Sequence, residues 1–420
     1  MTKREGLLTR ATAGDAEAQF QIARRYWNRR PPDKRRAVYW CRRAAEQGQA
    51  QAQCNLGCAL MMGEGVRRNR AAAVEWFRSA AEQGHIGAQY NMGRVYDDGE
   101  GVSPGPKEAA RWYHMVAEKG DVDAQFHLAY LLNNTEGDVR DRRQAVYWYR
   151  RAAMQGDAMA QYNLGVAFDN GEGVGKSARW ALHWYRKAAD LGDTDAMYAL
   201  GCMHADGEGT PVNRRGAVQW FRRAAEQGDA DAQVSLGYAL FYGEGVRRDR
   251  TEALRWYRKA ARQGNERAMM NIGLMYKNGH AVPQSWVRAI HWFERAAKQD
   301  HLAALHWLGR IYGGLEDYPA APKKAIHFLK RAAERRDSDS QCNLGVAYKN
   351  GEGLRKNYRL AVYWYRQAAE GGESWACYLL GLCYRDGEGV PKSLRWARHW
   401  WKKAAADGVK EAKEAKETLD

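Results

Sequence analysis

A twelve-residue stretch, Ala37-Val-Tyr-Trp-Cys-Arg-Arg-Ala-Ala-Glu-Gln-Gly48, returns along the chain in related forms at a fixed interval. Its closing position recurs every 36 residues, at 48, 84, 120, 156, 192, 228, 264, 300, 336, 372 and 408. Glycine occupies that position everywhere except at Asp300 and Arg336. A fixed period of this size predicts a solenoid, in which stacked units bury a core between neighbours. Such a fold favours a surface that holds a partner over a pocket for chemistry.

Each unit, numbered from the residue after the closing position, is predicted to contain two helices. Helix A carries apolar residues at positions 4, 8 and 12, which share one helix face. Position 9 is Gly or Ala throughout, as at Gly57. Because a glycine inside a helix costs about 1 kcal/mol relative to Ala, we expect the backbone of a neighbouring helix to approach there. A turn such as Gly63–Val66 follows, and helix B then carries Trp at position 28 in ten of eleven units.

The combined pattern, AxAQxxLGxxYxxGEGVxxxxxxAxxWYxxAAExG, resembles the Sel1-like repeat family, a relative of the tetratricopeptide repeat. The resemblance covers residues 15–408 and rests on about eleven units at fixed spacing. It implies an all-α fold, a right-handed α/α superhelical solenoid of helix-turn-helix repeats. It also implies an adaptor or scaffold for protein complexes, without specifying one partner or pathway.

The period predicts one solenoid domain over residues 1–420, with a cap helix at 1–14 and a polar cap helix at 409–420. Polar terminal helices are expected because a solenoid must close the exposed ends of its core. The predicted repeats are 15–48, 49–84, 85–120, 121–156, 157–192, 193–228, 229–264, 265–300, 301–336, 337–372 and 373–408. Two turns are irregular, at 133–138 and 313–319. The second marks either a bend or contact site, or drift that the fold tolerates.

Composition narrows the setting of the protein. The net charge of +16 would attract an acidic protein, nucleic acid or an anionic surface. No run of 18 apolar residues and no secretory signal are visible, so we expect no transmembrane segment and a cytoplasmic location. The seven cysteines do not form one pair per repeat, which favours a reducing compartment over a disulfide framework. Cys54 and Cys58 lack further ligands at metal spacing, so no metal site is predicted.

The resemblance to tetratricopeptide units implies that helix A positions 3, 6, 7, 10, 13 and 14 face a concave groove. Position 7 is asparagine in five units, at Asn55, Asn91, Asn163, Asn271 and Asn343. An asparagine side chain offers both a donor and an acceptor. These amides therefore predict pairing with the backbone of an extended peptide. Alternatively, they bond to neighbouring helices and only set the repeat geometry.

Aromatic and arginine side chains, the residue types that dominate binding hot spots, share the predicted groove. They are Tyr90, Tyr162 and Tyr198 at position 6, Arg94, Tyr130, Tyr238 and Arg310 at position 10, and Phe241 and Tyr242 at positions 13 and 14. The position-6 rings have the alternative of partial burial between helices. Trp307 and Trp375 stand where other units carry Asn or Asp, so the repeat fold does not require them and an interface role is favoured.

Helix B carries pairs of basic residues that recur with the repeat and predict a basic ridge. The ridge comprises Arg42, Arg43, Arg150, Arg151, Arg222, Arg223, Arg258 and Lys259. One interpretation is a solvated face favoured by the negative ends of the helix dipoles. The other is a binding surface for an acidic partner or a nucleic-acid backbone.

Catalytic motifs are missing from the sequence, so we expect no enzyme activity and no cofactor. Gly171–Ser177 resembles a phosphate-binding loop, but its glycine spacing is one residue short and no strand is predicted before it. The leading hypothesis is a non-catalytic scaffold that binds a protein or extended peptide in its groove. The alternatives are a dedicated inhibitor or immunity partner of one enzyme or toxin, and nucleic-acid or anionic-surface binding through the basic ridge. Self-association remains open.

Overall fold

A computed structural model describes residues 3–314 and 319–418. Within these residues the chain forms 24 α-helices and one 3₁₀ turn, with no strand, so the all-α prediction is confirmed. The chain divides into two compact units, Met1–Asn213 and Arg214–Asp420. Each unit is a stack of alternating A and B helices in which consecutive helices pack together. One continuous solenoid over the whole chain stays a prediction.

The unit Met1–Asn213 contains helices α1 to α12, in which the even-numbered helices are A helices. They are α1 Lys3–Thr12, α2 Ala16–Trp27, α3 Lys34–Glu46, α4 Ala50–Met62, α5 Arg70–Glu82, α6 Ile86–Asp98, α7 Pro106–Ala117, α8 Val122–Asn134, α9 Arg142–Met154, α10 Ala158–Asn170, α11 Ala178–Asp190 and α12 Thr194–Asp206. The irregular turn after α8 contains the 3₁₀ segment Gly137–Val139.

The unit Arg214–Asp420 contains helices α13 to α24, again with the A helices even-numbered. They are α13 Arg214–Glu226, α14 Ala230–Tyr242, α15 Arg250–Arg262, α16 Glu266–Asn278, α17 Trp286–Ala297, α18 Leu302–Tyr312, α19 Pro322–Glu334, α20 Ser338–Asn350, α21 Tyr358–Glu370, α22 Ser374–Asp386, α23 Leu394–Ala406 and α24 Lys410–Glu417. Most of the irregular turn predicted at 313–319, from 315 to 318, lies outside the described residues.

Capping residues set the ends of these helices. In α10, the Asp157 side chain accepts a hydrogen bond from the Ala160 N–H at 2.6 Å and so caps the first turn. The same helix ends at Gly171, whose φ of 77° is left-handed. Asp300 and Arg336, which replace the closing glycine, keep the positive φ at 60° and 64°. The closing position therefore requires this backbone conformation whichever residue occupies it.

The glycine at position 9 of helix A is explained mainly by a side chain of helix B. A Cβ atom added at Gly345 would lie 2.6 Å from the ring of Tyr365, and one at Gly57 would lie 2.6 Å from the ring of Phe77. Both rings occupy position 29 of helix B in the same repeat. The expectation that a neighbouring backbone approaches position 9 is wrong at Gly57, where the nearest atoms all belong to the Phe77 ring. At Gly345 the carbonyl oxygen of Ala361 on helix B also approaches, 3.2 Å from the added Cβ, so the expectation holds there beside the ring.

A buried glutamine at position 5 of helix A joins the helices of adjacent repeats. The Nε2 atom of Gln125 donates to the carbonyl of Ala117 at 3.0 Å, and its Oε1 accepts from Gln155 Nε2 at 2.8 Å. Equivalent bonds from position 5 to the end of the preceding B helix are made by Gln19, Gln53, Gln89, Gln161, Gln233 and Gln341. These bonds satisfy carbonyls that a helix C-terminus leaves unpaired, and in these seven repeats they help to fix how the A helix stacks on the preceding helix.

The alanines of helix B lie in the core, and most of its position-28 tryptophans are partly buried against that core. Trp148 is fully buried, together with Ala145, Ala152 and Ala153 on the same helix, α9. The small alanine side chains let adjacent helices approach closely. Over residues 3–314 and 319–418, no helix is both long enough and apolar enough to cross a membrane.

Candidate protein-binding surface

The A-helix surface is defined here as positions 3, 6, 7, 10, 13 and 14 of the A helices, and all predicted groove residues lie on it. In the unit Met1–Asn213 these are Asn55 on α4, Tyr90, Asn91 and Arg94 on α6, Tyr130 on α8, Tyr162 and Asn163 on α10, and Tyr198 on α12. In the unit Arg214–Asp420 they are Tyr238, Phe241 and Tyr242 on α14, Asn271 on α16, Trp307 and Arg310 on α18, Asn343 on α20, and Trp375 on α22.

The position-7 asparagines of the first unit bond to their own surroundings. Asn55 accepts a hydrogen bond from Gln51 on the same helix at 3.1 Å, and Asn163 donates to the Met159 carbonyl at 2.8 Å. The Nδ2 atom of Asn91 lies 3.8 Å from the sulfur atoms of both Cys54 and Cys58 on the preceding A helix. Part of the hydrogen-bonding capacity of these three amides is therefore used within the repeats.

The second unit differs, because the part of the chain that the structure describes provides no hydrogen bond to the side chain of Asn271 or Asn343, although both are half-buried like the asparagines of the first unit. A half-buried amide that lacks a protein partner retains its full donor and acceptor capacity for water or a ligand. The asparagines therefore favour the second unit as a place where a partner's backbone could bond.

The position-6 tyrosines are partly buried, as their alternative interpretation expected. The ring of Tyr90 lies 5.8 Å from that of Tyr113, and the ring of Tyr162 lies 5.7 Å from that of Tyr185. Burial raises the pKa of both Tyr90 and Tyr162 above the ordinary value. Tyr198 is also half-buried. The rings of Tyr90 and Tyr162 therefore pack against helix B, and all three tyrosines are partly accessible.

An aromatic cluster lies at the end of α14. The rings of Tyr238 and Tyr242 are 4.6 Å apart, and Phe241 is 4.9 Å from Tyr242. Phe241 also contacts His280 and lies under the guanidinium of Arg250 at 5.0 Å. Tyr242 is 58% exposed, although nothing in the repeat pattern requires an aromatic residue there.

Trp307 on α18 lies at the centre of a second cluster. Its ring is parallel to that of Phe293 on α17, with an interplanar angle of 12°. The Nζ atom of Lys277 lies 4.3 Å from the indole centroid, and the Arg310 guanidinium lies 5.2 Å from it. Both distances are within the range of cation–π attraction. The packing and the two cations hold the half-buried indole in one orientation.

Trp375 lies near the last repeat. Its ring is 5.0 Å from that of Tyr378 on the same helix, α22, and it is 41% exposed. Trp375 and the half-buried Tyr378 therefore form an aromatic pair on the A-helix surface of the second unit. The structure does not place Trp375 in contact with Trp307, which lies on α18.

Cations prevail among the charged residues at positions 10 and 13 of this surface in the second unit. On α14 to α22 the charged residues at those two positions are Lys277, Arg310, Lys349 and Arg385. Lys349 pairs with Glu388 at 2.8 Å, and Arg385 pairs with the adjacent Asp386 at 2.7 Å. Acidic residues occupy other positions of the same surface, at Asp231, Asp339 and Asp386, so its charge is mixed and the cations Lys277 and Arg310 are concentrated around Trp307.

The basic ridge largely serves the repeats themselves. The position-31 cation lies over the position-28 tryptophan of its own helix, as in Arg223 over Trp220 at 4.7 Å and Lys259 over Trp256 at 3.8 Å. The same arrangement is found for Arg43 with Trp40 and Arg151 with Trp148. These contacts cover tryptophan faces that would otherwise be exposed.

The position-30 residues of the ridge are more varied in their contacts. Arg222 forms an ion pair with Glu252 at 2.8 Å, and Arg258 donates to the Tyr276 hydroxyl at 3.2 Å. Arg42 is half-buried and Arg150 is exposed. The ridge therefore combines internal contacts with a solvated basic face.

Exposed aromatic residues on the B helices were missed by the sequence analysis. They occupy positions 24 and 27 and comprise Tyr39, Tyr147, Trp180, Tyr363 and Trp396. The available signal was the variation at these two positions, where other repeats carry residues as different as Glu108, Gly216 and Arg255. These side chains provide matched controls on the opposite type of helix.

The suspected phosphate loop is an ordinary turn between helices. It follows helix α10, and the Ser177 hydroxyl accepts a hydrogen bond from the Trp180 N–H at 3.4 Å, which caps α11. Among residues 3–314 and 319–418, no group of three or more His, Cys, Asp or Glu side chains is arranged to hold a metal ion.

Comparison with known proteins agrees with this architecture. A protective antigen of uropathogenic Escherichia coli strains, solved as an SLR fold, is 33% identical with a TM-score of 0.74, over 100% of this chain and 90% of that chain. A Sel1 repeat protein from Oxalobacter formigenes is 32% identical with a TM-score of 0.64, over 74% of this chain and 90% of that chain. No curated protein gave a match.

The family comparison covers nearly the whole chain. The Sel1 repeat model matches residues 16–49, 50–85, 86–121, 122–157, 158–193, 194–229, 230–265, 266–301, 302–337, 338–373 and 376–409. The matched segments contain the paired helices, the position-9 glycines and the helix B tryptophans described above. The chain belongs to the Sel1 repeat family.

Proposed function

We propose that this protein is a non-catalytic scaffold whose A-helix surface binds an extended segment of a partner protein. Sel1 repeat proteins generally mediate protein–protein interaction and are typically not catalysts. The proposed main binding region is the A-helix surface of α14 to α22, in the unit Arg214–Asp420.

The arrangement around Trp307 carries this proposal. Position 7 is Asn in five other units, so a tryptophan there is not needed to form the repeat. The indole is nevertheless held between Phe293, Lys277 and Arg310. Trp and Arg are enriched in binding hot spots, and a preorganised side chain loses little conformational entropy on binding. This cluster has the properties of a ready-made interface anchor.

Neighbouring groups provide the other contacts that an extended peptide would need. Asn271 and Asn343 offer amide groups for a partner's backbone. The exposed rings of Tyr238 and Tyr242 provide further apolar contact area. Lys277 and Arg310, which lie over Trp307, favour a carboxylate of the partner close to that ring, because complementary charge selects partners and speeds their association.

A pull-down from a cell lysate, with quantitative mass spectrometry, tests the proposal. We expect Trp307→Ala, and separately the pair Asn271→Ala with Asn343→Ala, to reduce the recovery of specific partners at least tenfold. The matched control is Trp396→Ala, which removes an exposed tryptophan from helix α23 of the same unit. Circular dichroism would confirm folding. Equal recovery with all variants would show that the A-helix surface is not the binding site.

The two alternative functions give different results in the same experiment. A dedicated inhibitor or immunity partner would recover one tight partner rather than several. A nucleic-acid binder would lose its partners after nuclease treatment, and replacing ridge residues rather than Trp307 would weaken recovery. The use of ridge cations on tryptophan faces, such as Arg223 on Trp220, favours the protein-binding proposal.

A further inference from the structure

A pocket of about 210 Å³ opens on the A-helix surface of the second unit. It lies between α18, α19 and α20. Leu329, Val346 and Ala347 contribute apolar wall, while Arg310 and Asn343 lie among the polar lining groups. Glu352 also lines it and accepts a hydrogen bond from Asn350 at 2.8 Å. The pocket therefore combines an apolar interior with a cation, an amide and a carboxylate.

The pocket arises at two positions, 29 and 13, where this repeat has smaller residues than most other repeats. Position 29 is a tyrosine or phenylalanine in most repeats, but it is Leu329 here. In the repeat 85–120, the position-29 ring of Tyr113 extends until its hydroxyl lies 3.4 Å from Asp97 at position 13. In the repeat 301–336, position 13 is Gly313, which lines the pocket. The missing ring and the missing side chain together leave the space open.

The neighbouring repeat shows what such a space accepts. Position 29 there is Phe293, and the Trp307 ring lies parallel to it from the next repeat. Lys277, at position 13 of that repeat, covers the indole. The chain therefore places its own aromatic side chain, covered by a cation, at the equivalent junction. In the next repeat position 7 is Asn343 instead of tryptophan, and the corresponding space is left unfilled as the pocket.

We propose that this pocket receives an aromatic side chain of the partner segment, with an adjacent carboxylate of that segment bound to Arg310. The inference rests on the proposed function and adds the chemistry of the ligand. An apolar cavity of about 150 Å³ is large enough to bind benzene, so 210 Å³ accommodates a phenyl ring. Asn343 would hydrogen-bond to the segment's backbone beside the ring.

The first unit contains a pocket at the corresponding junction, which provides an internal comparison. It measures about 120 Å³ and is lined by Phe77 at position 29, Met61 at position 13 and Asn91 at position 7 of the next repeat. The larger residues at positions 29 and 13 account for its smaller volume. This pocket is smaller than the cavity of about 150 Å³ that is known to hold benzene, whereas the pocket at Leu329 is larger, so the aromatic ligand is assigned to the pocket at Leu329.

The test uses 4-fluorophenylacetate, which carries both a ring and a carboxylate. Its binding to the full chain is measured by broadening of the fluorine NMR line of the ligand. A ligand of this size is expected to bind with a dissociation constant on the order of millimolar. Leu329→Phe restores an aromatic residue at position 29 and should weaken binding at least tenfold. Its melting temperature should not fall, because Phe293 occupies the same position beneath Gly273. Val346→Tyr, a residue type found at position 10 in Tyr238, provides a second blocking variant.

Arg310→Gln separates the charge from the cavity. The substitution should weaken the binding of 4-fluorophenylacetate about threefold or more, and it should leave the binding of the uncharged 4-fluorobenzyl alcohol unchanged. Absence of binding to the wild type, or equal binding to the wild type and both blocking variants, would overturn the assignment. If captured partners depend on Trp307 but not on Leu329→Phe, the pocket assignment fails while the proposed scaffold function stands.

Discussion

Trp307 is stacked on Phe293, with the two ring centroids 6.4 Å apart and their planes 12° from parallel. This contact joins an A helix to the B helix of the preceding repeat. The sequence marks Trp307 as an exception to the repeat pattern, and the structure shows that the exception is supported from one side by a core aromatic residue. A supported, half-exposed indole is suited to meet a partner because its orientation is already fixed.

The ring beneath position 9 predicts that an added methyl group there will destabilise the protein. Gly345→Ala places a Cβ 2.6 Å from the Tyr365 ring, and overpacking of this kind typically costs about 1–3 kcal/mol. The higher helix propensity of alanine returns about 1 kcal/mol of this. Urea denaturation should show net destabilisation. Gly6→Ala, in α1 with no atom within 4 Å of the added Cβ, should be neutral or stabilising. Equal effects would contradict the packing argument.

The buried glutamines predict a graded loss of stability. Gln125→Leu removes two hydrogen bonds, one to the Ala117 carbonyl and one from Gln155. An unsatisfied buried group costs about 1–3 kcal/mol. Gln161→Leu should cost less, because Gln161 bonds to Ala153 while its Oε1 has no partner among the described residues. Chemical denaturation of both variants checks this order, and a larger loss for Gln161→Leu would be inconsistent with it.

Asp337 predicts a specific dependence of stability on pH. Burial alone would raise the pKa of its carboxyl, but hydrogen bonds with His306 and Ser340 outweigh burial and lower it below 3.8. A lowered folded-state pKa gives stability that is present above the unfolded value and is lost as pH falls through the folded value. Asp337→Asn should therefore cost about 1 kcal/mol near pH 6, and the difference should shrink below pH ~3. Urea denaturation at both values tests this, and a pH-independent difference would contradict it.

The basic ridge predicts a negative result with nucleic acid. A protein that binds phosphates with several cations loses affinity steeply with salt, and removing contacts reduces that slope. Because Arg222 and Arg223 are engaged by Glu252 and Trp220, replacing both with Gln should leave the salt slope of RNA binding unchanged. Fluorescence anisotropy with a labelled RNA over a salt series measures the slope. A clear reduction would support the nucleic-acid alternative.

Much of the fold could be predicted because the same pattern of helix-forming and capping residues occurs in every repeat. The closing glycines and the capping aspartates, such as Asp157, identify helix ends from local chemistry. The partner of the position-9 glycine could not be predicted. A sequence shows that room is needed at Gly345, but only packing shows that the Tyr365 ring takes it.

The candidate surface was predicted less completely than the fold. Trp307 and Trp375 were found because they depart from the residues of other repeats. The availability of each asparagine could not be predicted, since it depends on neighbours in space: Asn91 contacts Cys54 and Cys58, whereas Asn343 lines a pocket. That pocket also escaped prediction, because it arises from the combined small size of Leu329 and Gly313 on two helices.

Site-specific photo-crosslinking tests the central claim most directly. A benzophenone amino acid would replace Ala303, an exposed residue at position 3 of the A-helix surface one turn before Trp307 on α18, or, as a control, Tyr363 on the exposed face of helix α21. With a partner recovered in the pull-down, irradiation should give a crosslink from position 303 and none from position 363. A crosslink from position 363 without one from position 303 would contradict the assignment of the A-helix surface as the binding site.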